Sequence, residues 1–289
     1  MGFVAYRAVT CPLRMMPTFI VIGAHRGGTS AFYHYLTEHP GIAAATTKEV
    51  NFFDRNFHKG TWWYRAHFPS HTYKRLAEIA QQGHFITGEA SPYYLFHPHV
   101  PQRIARTLPK VKLIALLRNP VERAYSQYRR YRYLGWETES FADAIAREER
   151  RLDERVRSGA AIGDDPNDVA GHSSYLARGL YADQLRRWLR WFPRAHLLVL
   201  RSEDFYADPT TALKQALVFL DVPVNRLPSR AHYNRYDGYS KEGEPHDATD
   251  TGMDPALRER LSAYFAPHNR HLYEMIGRDM GWEGTGAGA

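Results

Sequence analysis

The chain has 289 residues, 44% hydrophobic and 24% charged, the balance of a globular protein long enough to bury one large core. Lys and Arg number 38 against 31 Asp and Glu, a net charge of +7; this suits an anionic partner without choosing among a phosphorylated nucleotide, an acidic saccharide and nucleic acid. No apolar run approaches the ~20 residues of a membrane span, and the single cysteine, Cys11, excludes an intrachain disulfide or a cysteine zinc site. The 15 histidines fall singly, with no H-E-x-x-H cluster to suggest a metal. With no apolar secretory core near the N-terminus, the simplest expectation is a cytoplasmic protein.

In chain order, residues 1–16 are irregular and basic and are expected to form a disordered tail. Residues 18–22 read as a buried strand, followed by a glycine-rich turn and a helix to about residue 36. Further strands are expected at 85–87, 111–117 and 197–200. Helical patterns cover 101–108, 120–134, 141–157, 175–192, 210–220 and 255–276. Continuous apolar strands separated by helices imply an α/β, three-layer fold with a central parallel sheet flanked by helices. Segments 158–174 and 225–252, rich in Gly and polar residues, read as loops. No internal repeat or boundary divides the chain, so one domain is expected over 17–283, with 284–289 flexible.

The first strand ends in Gly23-Ala24-His25-Arg26-Gly27-Gly28-Thr29-Ser30. Such a turn aims backbone N–H groups and a positive helix end at a phosphate, which makes the expected fold P-loop-like. The nucleotide P-loop carries lysine where Thr29 stands; here the cation is Arg26, three residues earlier. No apolar strand is followed by an evident Mg²⁺-binding carboxylate. An ATP or GTP phosphotransferase needs both, so a P-loop small-molecule kinase is a lesser reading. The bland alternative is a glycine turn that only reverses the chain.

The strand 111–117 leads into Arg118-Asn119-Pro120-Val121. Asn119 can cap the following helix and Pro120 suits its first position. Val121, Ala124, Tyr125 and Tyr128 share one helical face, with Ser126 off that stripe. Arg118 can grip a phosphate with its planar fork and Ser126 can add a hydroxyl. A salt-bridged arginine with an incidental serine is the competing explanation.

The segments GAHRGGTS, KEVNFFD, GEASPYY and LLRNPVERAYSQY, in that order, resemble the heparan sulfate sulfotransferases, the glucosaminyl 3-O- and N-sulfotransferases and their bacterial relatives. The resemblance extends through FFDRNFHKGTWWYRAHFP, RGLYADQLRRWLRWFP and YFAPHNRHLYEMIGRDMGW. It implies a donor, 3′-phosphoadenylyl sulfate, and a product, adenosine 3′,5′-bisphosphate, with no metal required. It implies that Arg26, Gly27, Gly28, Thr29 and Ser30 hold the 5′-phosphosulfate, and that Arg118 and Ser126 hold the 3′-phosphate. One nucleotide with phosphates at both ends calls for two separate anion cradles. The resemblance also makes Glu49 the catalytic base, with Arg26 beside the reacting sulfur; His25 and His58 are the fallback bases.

Three departures accompany it. Arginine replaces the family lysine at Arg26. The family's Glu-Lys-Ser/Thr-Pro segment reads Glu89-Ala90-Ser91-Pro92, without the lysine that lies near base and acceptor. The late cysteine pair of animal members is absent, and Lys241 and Gly243 are the nucleotide-contact candidates there. Phe52, Phe53, Glu89 and Ser91 are candidate acceptor contacts. An extended strand would point Glu49 and Asn51 to one side, and Lys48 and Val50 to the other. The acceptor is expected to be a saccharide or other small molecule, with a phenolic or lipid-linked hydroxyl as the second class. Nucleic acid is not expected; a non-catalytic polyanion-binding module is the rival from another class. Nothing in the sequence bears on oligomeric state.

Overall fold

Side-chain alternation along the strands explains the layers. β1 (Phe19–Gly23) is buried throughout; Ile20 and Ile22 join one apolar cluster, Phe19 and Val21 another, as a strand covered on both faces requires. The computed structural model describes residues 7, 10–81, 83–158, 174–224 and 252–283. The other strands are β2 (Ile42–Ala44), β3 (Ile86–Ala90), β4 (Lys112–Leu117) and β5 (Leu197–Arg201). All neighbours pair in parallel, in the order β2-β3-β1-β4-β5.

Among the described residues, the helices include α1 (Thr29–Thr37), α2 (Gly60–Arg65), α3 (His71–Gln81), α4 (Val100–Thr107), α5 (Pro120–Tyr133), α6 (Phe141–Arg157), α7 (Tyr181–Leu189), α8 (Ser202–Ala207), α9 (Pro209–Phe219) and α10 (Pro255–Ile276). On one face of the sheet, Phe32 and Leu36 of α1 and Leu213 and Leu217 of α9 pack on Phe19, Val21 and Ile114. On the other, Ile104 of α4 and Leu185 and Trp188 of α7 pack on Ile20, Ile22 and Leu113. A third cluster joins α5, α6 and α10 through Val121, Ala124, Ile145, Leu261 and Phe265. From β1 the chain moves outward to β2 and β3, then crosses back past β1 to β4. The carboxyl end of β1 is therefore the topological switch point, where open parallel sheets leave a crevice.

Two expectations change. Thr10–Met16 is not a loose tail: Cys11–Leu13 forms a 3₁₀ turn, and Arg14, 4% exposed, donates to the Phe68 carbonyl at 3.0 Å. Met15 lies in the sheet-face cluster. That guanidinium bond and the buried methionine pin the segment to the chain after α2. The expected helix over 175–192 divides into a 3₁₀ turn, Ala177–Gly179, and α7. Most of the two expected loops, and residues 284–289, lie outside the described residues.

Candidate active site

At the carboxyl end of β1, hydrogen bonds and close packing fix the glycine turn. The Ala24 N–H donates to the Leu116 carbonyl of β4 at 2.7 Å, and the Gly27 N–H to the Ala24 carbonyl at 2.9 Å. Ser202, at the start of α8, donates its hydroxyl to the Gly27 carbonyl at 2.6 Å. A Cβ on Gly27 would stand 2.6 Å from the Leu116 carbonyl oxygen, so the backbone passes where no larger residue fits. Gly28 adopts a positive φ of 85° at the N-cap of α1, a conformation that favours glycine. Thr29 and Ser30 open α1, so their backbone N–H groups belong to its positive end.

The residues singled out after β4 meet this turn. Asn119 caps α5 by accepting from the Val121 and Glu122 N–H groups, and Pro120 occupies the first helical position. The cap sets the direction in which Arg118 leaves the strand and Ser126 projects from the helix. The Arg26 Nε–H donates to Ser126 Oγ at 3.0 Å, and Arg118 Nη1–H reaches the Arg26 carbonyl at 3.4 Å. The two segments expected to form separate anion cradles thus touch, the Arg26 side chain reaching across to α5. The buried face of α5 also differs from the expected stripe: Arg123 and Gln127 lie within it and bond to each other at 2.8 Å. Tyr125 and Tyr128 are only partly buried.

Glu49 stands on a strap that bends rather than extends. Glu49 and Asn51 have φ of 59° and 50°, and left-handed residues break the two-residue alternation of a strand. Lys48 and Glu49 therefore do not point apart: Lys48 Nζ meets Glu49 Oε1 at 2.8 Å. A cation thus stands beside the Glu49 carboxylate even though the family lysine is replaced by Ala90. The Glu49 side chain is 44% exposed and free to meet a ligand from solvent. Its backbone N–H donates to the Ala90 carbonyl at 3.0 Å, which anchors the strap at the end of β3, beside β1.

Behind the strap, the four candidate acceptor contacts are corrected. Phe52, Phe53, Glu89 and Ser91 are all 0% exposed, so none presents a surface to an acceptor. In an aromatic core, Phe52 stacks on Tyr64 and Phe53 meets the Tyr64 ring edge-on. Glu89 accepts from Tyr64 Oη at 2.6 Å, Ser91 Oγ at 2.8 Å and Tyr94 Oη at 3.3 Å. Burial raises its pKa from the usual 4.5 to about 7, against the downward pull of the three hydroxyls.

His25 borders the turn, its ring 6.4 Å from that of Tyr131. Among the described residues, its buried Nδ1 has no hydrogen-bond partner. Burial, and then the charges of Arg178, Arg123, Arg26 and Lys48, hold its pKa well below the ordinary value, so the ring is neutral at pH 7. His58 stands exposed on the 3₁₀ turn Phe57–Lys59. Lys241 and Gly243 lie outside the described residues. Among the described residues, no group of three or more His, Cys, Asp or Glu side chains is arranged to hold a metal ion.

The sulfotransferase domain family matches residues 16–242. The chain belongs to that family. It is 32% identical over 284 residues to heparan sulfate glucosamine 3-O-sulfotransferase 3A1 of Mus musculus, a match covering 94% of this chain and 65% of that protein. It is 30% identical over 286 residues to heparan sulfate glucosamine 3-O-sulfotransferase 6 of the same organism, covering 93% and 75%. The chain thus spans about two thirds to three quarters of the length of these relatives. A solved sulfotransferase from Alicyclobacillus acidocaldarius is 31% identical with a TM-score of 0.66, covering 93% of this chain and 99% of that one.

Within this sulfotransferase fold, two cations near the turn were missed by sequence reasoning. Arg123 is fully buried in α5 and donates to the Tyr175 carbonyl. Arg178 lies over the rings of Tyr93 and Phe96, at 5.0 Å and 5.6 Å. Both fall inside segments that carry the family resemblance, but only the fold shows that they act electrostatically on His25.

Proposed function

We propose that this chain binds 3′-phosphoadenylyl sulfate across the turn after β1 and the start of α5, and transfers the sulfuryl group to a carbohydrate acceptor. The observation that carries the reading is the junction of Arg26, Ser126 and Arg118 at the switch point of the sheet. A nucleotide with phosphate on both its 5′ and 3′ sides fits a site where a helix N-terminus and two arginines converge. The glycine backbone supports the fit, since a Cβ at Gly27 would press on β4.

In the proposed step, an acceptor hydroxyl or amine attacks sulfur in line. The new bond to sulfur forms as the bond from sulfur to the 5′-phosphate oxygen breaks. The electron pair leaves on adenosine 3′,5′-bisphosphate, and the acceptor proton passes to Glu49. Arg26 and the N–H groups of Gly28, Thr29 and Ser30 stabilise the charge that gathers on the leaving oxygen. Lys48 holds the Glu49 carboxylate in place. The carbohydrate acceptor follows from the 3-O-sulfotransferase relatives, both named for heparan sulfate glucosamine.

A screen with labelled sulfuryl donor against sulfated and unsulfated saccharides, glycolipids and phenols tests this directly. Label in a saccharide is expected. Label only in phenols or lipid-linked alcohols would reassign the acceptor, and no label in any class would overturn transfer.

A further inference from the structure

A carboxylate buried among aromatic rings is costly, and Glu89 sits at the end of a relay that reaches the Glu49 strap. Ser91 Oγ, which donates to Glu89 Oε2, accepts from the Asn51 N–H at 3.1 Å. Tyr94 Oη, which donates to Oε1, accepts from the Phe52 and Phe53 N–H groups at 2.8 Å and 3.2 Å. Three consecutive strap amides, beginning two residues after Glu49, therefore rest on two hydroxyls. Each hydroxyl has one proton to give. While both protons point at the carboxylate, both sets of lone pairs face the strap.

From this geometry, and resting on the sulfotransferase reading above, we infer that Glu89 is a positioning residue. Its ionised carboxylate orients the Ser91 and Tyr94 hydroxyls so that they hold Glu49 in its left-handed, ligand-facing pose. A proton on Glu89, or an amide in its place, must be donated to one of the hydroxyls or to Tyr64. At Ser91 or Tyr94 the donation turns a hydroxyl proton toward a strap N–H and breaks the relay on that side. The titratable groups around Glu89 are Tyr64 on α2, Tyr94, Asp54 on the strap and Tyr33 on α1. Burial and the nearby Glu89 charge hold Tyr64 and Tyr94 well above their ordinary pKa, so both stay protonated and able to donate. Burial pushes the Glu89 pKa up to about 7, so where the proton is given to Ser91 or Tyr94 rather than to Tyr64, order in the strap rises with pH across neutrality.

The test compares wild type with Glu89→Gln, Ser91→Ala and Tyr94→Phe in two assays, one of which needs no turnover. Hydrogen exchange resolved to single amides is followed from pH 6 to 8, corrected for the intrinsic pH dependence of exchange. In Glu89→Gln, protection at residues 51–53 is expected to fall on the order of tenfold, as for loss of a hydrogen bond, and to lose its dependence on pH near 7. Ser91→Ala should deprotect Asn51 alone, and Tyr94→Phe should deprotect Phe52 and Phe53. In turnover, all three should lower kcat on the order of 10- to 100-fold, as displaced catalytic groups do, with affinity for adenosine 3′,5′-bisphosphate unchanged. Wild-type protection and kcat in all three would overturn the inference, as would a loss of protection spread over the whole sheet. If Glu89→Gln does not fold, the two hydroxyl variants decide by the same readings. Failure of the sulfotransferase reading would show instead as wild-type protein that neither binds the nucleotide nor transfers sulfate, and the exchange pattern would still judge the relay.

Discussion

At the scale of single residues, sulfuryl transfer at this site needs Glu49 to take the acceptor proton and the turn to admit a nucleotide. Glu49→Gln preserves shape and the start of the strap but removes the base. We expect turnover to drop by roughly 10²–10⁴, the usual worth of a general base, with nucleotide affinity retained. Single-turnover sulfation and calorimetry on one preparation check this; near-normal turnover would move the base elsewhere, and lost nucleotide binding would make Glu49 structural. At Gly27 the added methyl of Gly27→Ala meets the Leu116 carbonyl oxygen at 2.6 Å. Relief requires movement of the turn or of β4, so we expect a stability loss of about 1–3 kcal/mol for overpacking, together with weaker nucleotide binding. Denaturant melts and calorimetry would show both; an unchanged variant would mean the turn is looser than drawn. Arg26 and Arg118 were legible in the sequence because each follows a strand end in a recognisable pattern, and Ser126 because it falls off the expected apolar stripe of the next helix. Glu89 was legible as a residue but not as a role, since the sequence does not tell that Tyr64, 25 residues earlier, closes over its carboxyl group.

At the scale of elements, the junction between β4 and α5 places two of the proposed phosphate contacts. Asn119 holds it by capping Val121 and Glu122 with its side chain, and its own N–H donates to Glu203 Oε1 at 2.8 Å. Asn119→Ala should cost about 0.5–2 kcal/mol, as cap removal does, and should loosen Arg118 and Ser126. Chemical denaturation would measure the first effect. The second would appear as weaker binding of 3′-phosphorylated nucleotides with AMP affinity little changed. Both the cap and the apolar strands were readable in the chain, because capping chemistry and continuous apolar runs are local signals. β2 was not, being three residues of mixed burial and too short for a period to register. The bend of the strap was also hidden: nothing local marks Glu49 as left-handed, and its φ follows from bonds to the end of β3 about forty residues later. The expectation that Lys48 and Glu49 would point apart failed for that reason.

At the scale of the whole molecule, the parallel sheet sets the site at one end of β1 and the excess positive charge favours an anionic ligand. Glu89 leaves a signature on global stability. Its folded pKa is about 7 against the usual 4.5, so between those values the folded chain holds a proton that the unfolded chain has released. Stability from this group is therefore greatest at the acid end of the window and falls as pH rises toward 7. Denaturation midpoints measured across pH 4.5 to 7 should show that component, and Glu89→Gln should remove it; an unchanged slope would contradict the raised pKa. Transfer of a sulfuryl group, less charged than a phosphoryl group, can be served by arginines and backbone N–H groups, so turnover should survive excess EDTA. Activity lost to chelator and restored by Mg²⁺ would revive a kinase. The central claim is that the Arg26–Ser126–Arg118 junction recognises a nucleotide phosphorylated on both sides. Calorimetric titration of the wild type and Arg118→Ala with adenosine 3′,5′-bisphosphate and with AMP tests it most directly. The wild type is expected to prefer the bisphosphate strongly, and Arg118→Ala to lose most of this preference, about 1.5–3 kcal/mol for a charged hydrogen bond; equal affinities for the two nucleotides in the wild type would rule out recognition of the 3′-phosphate at this junction.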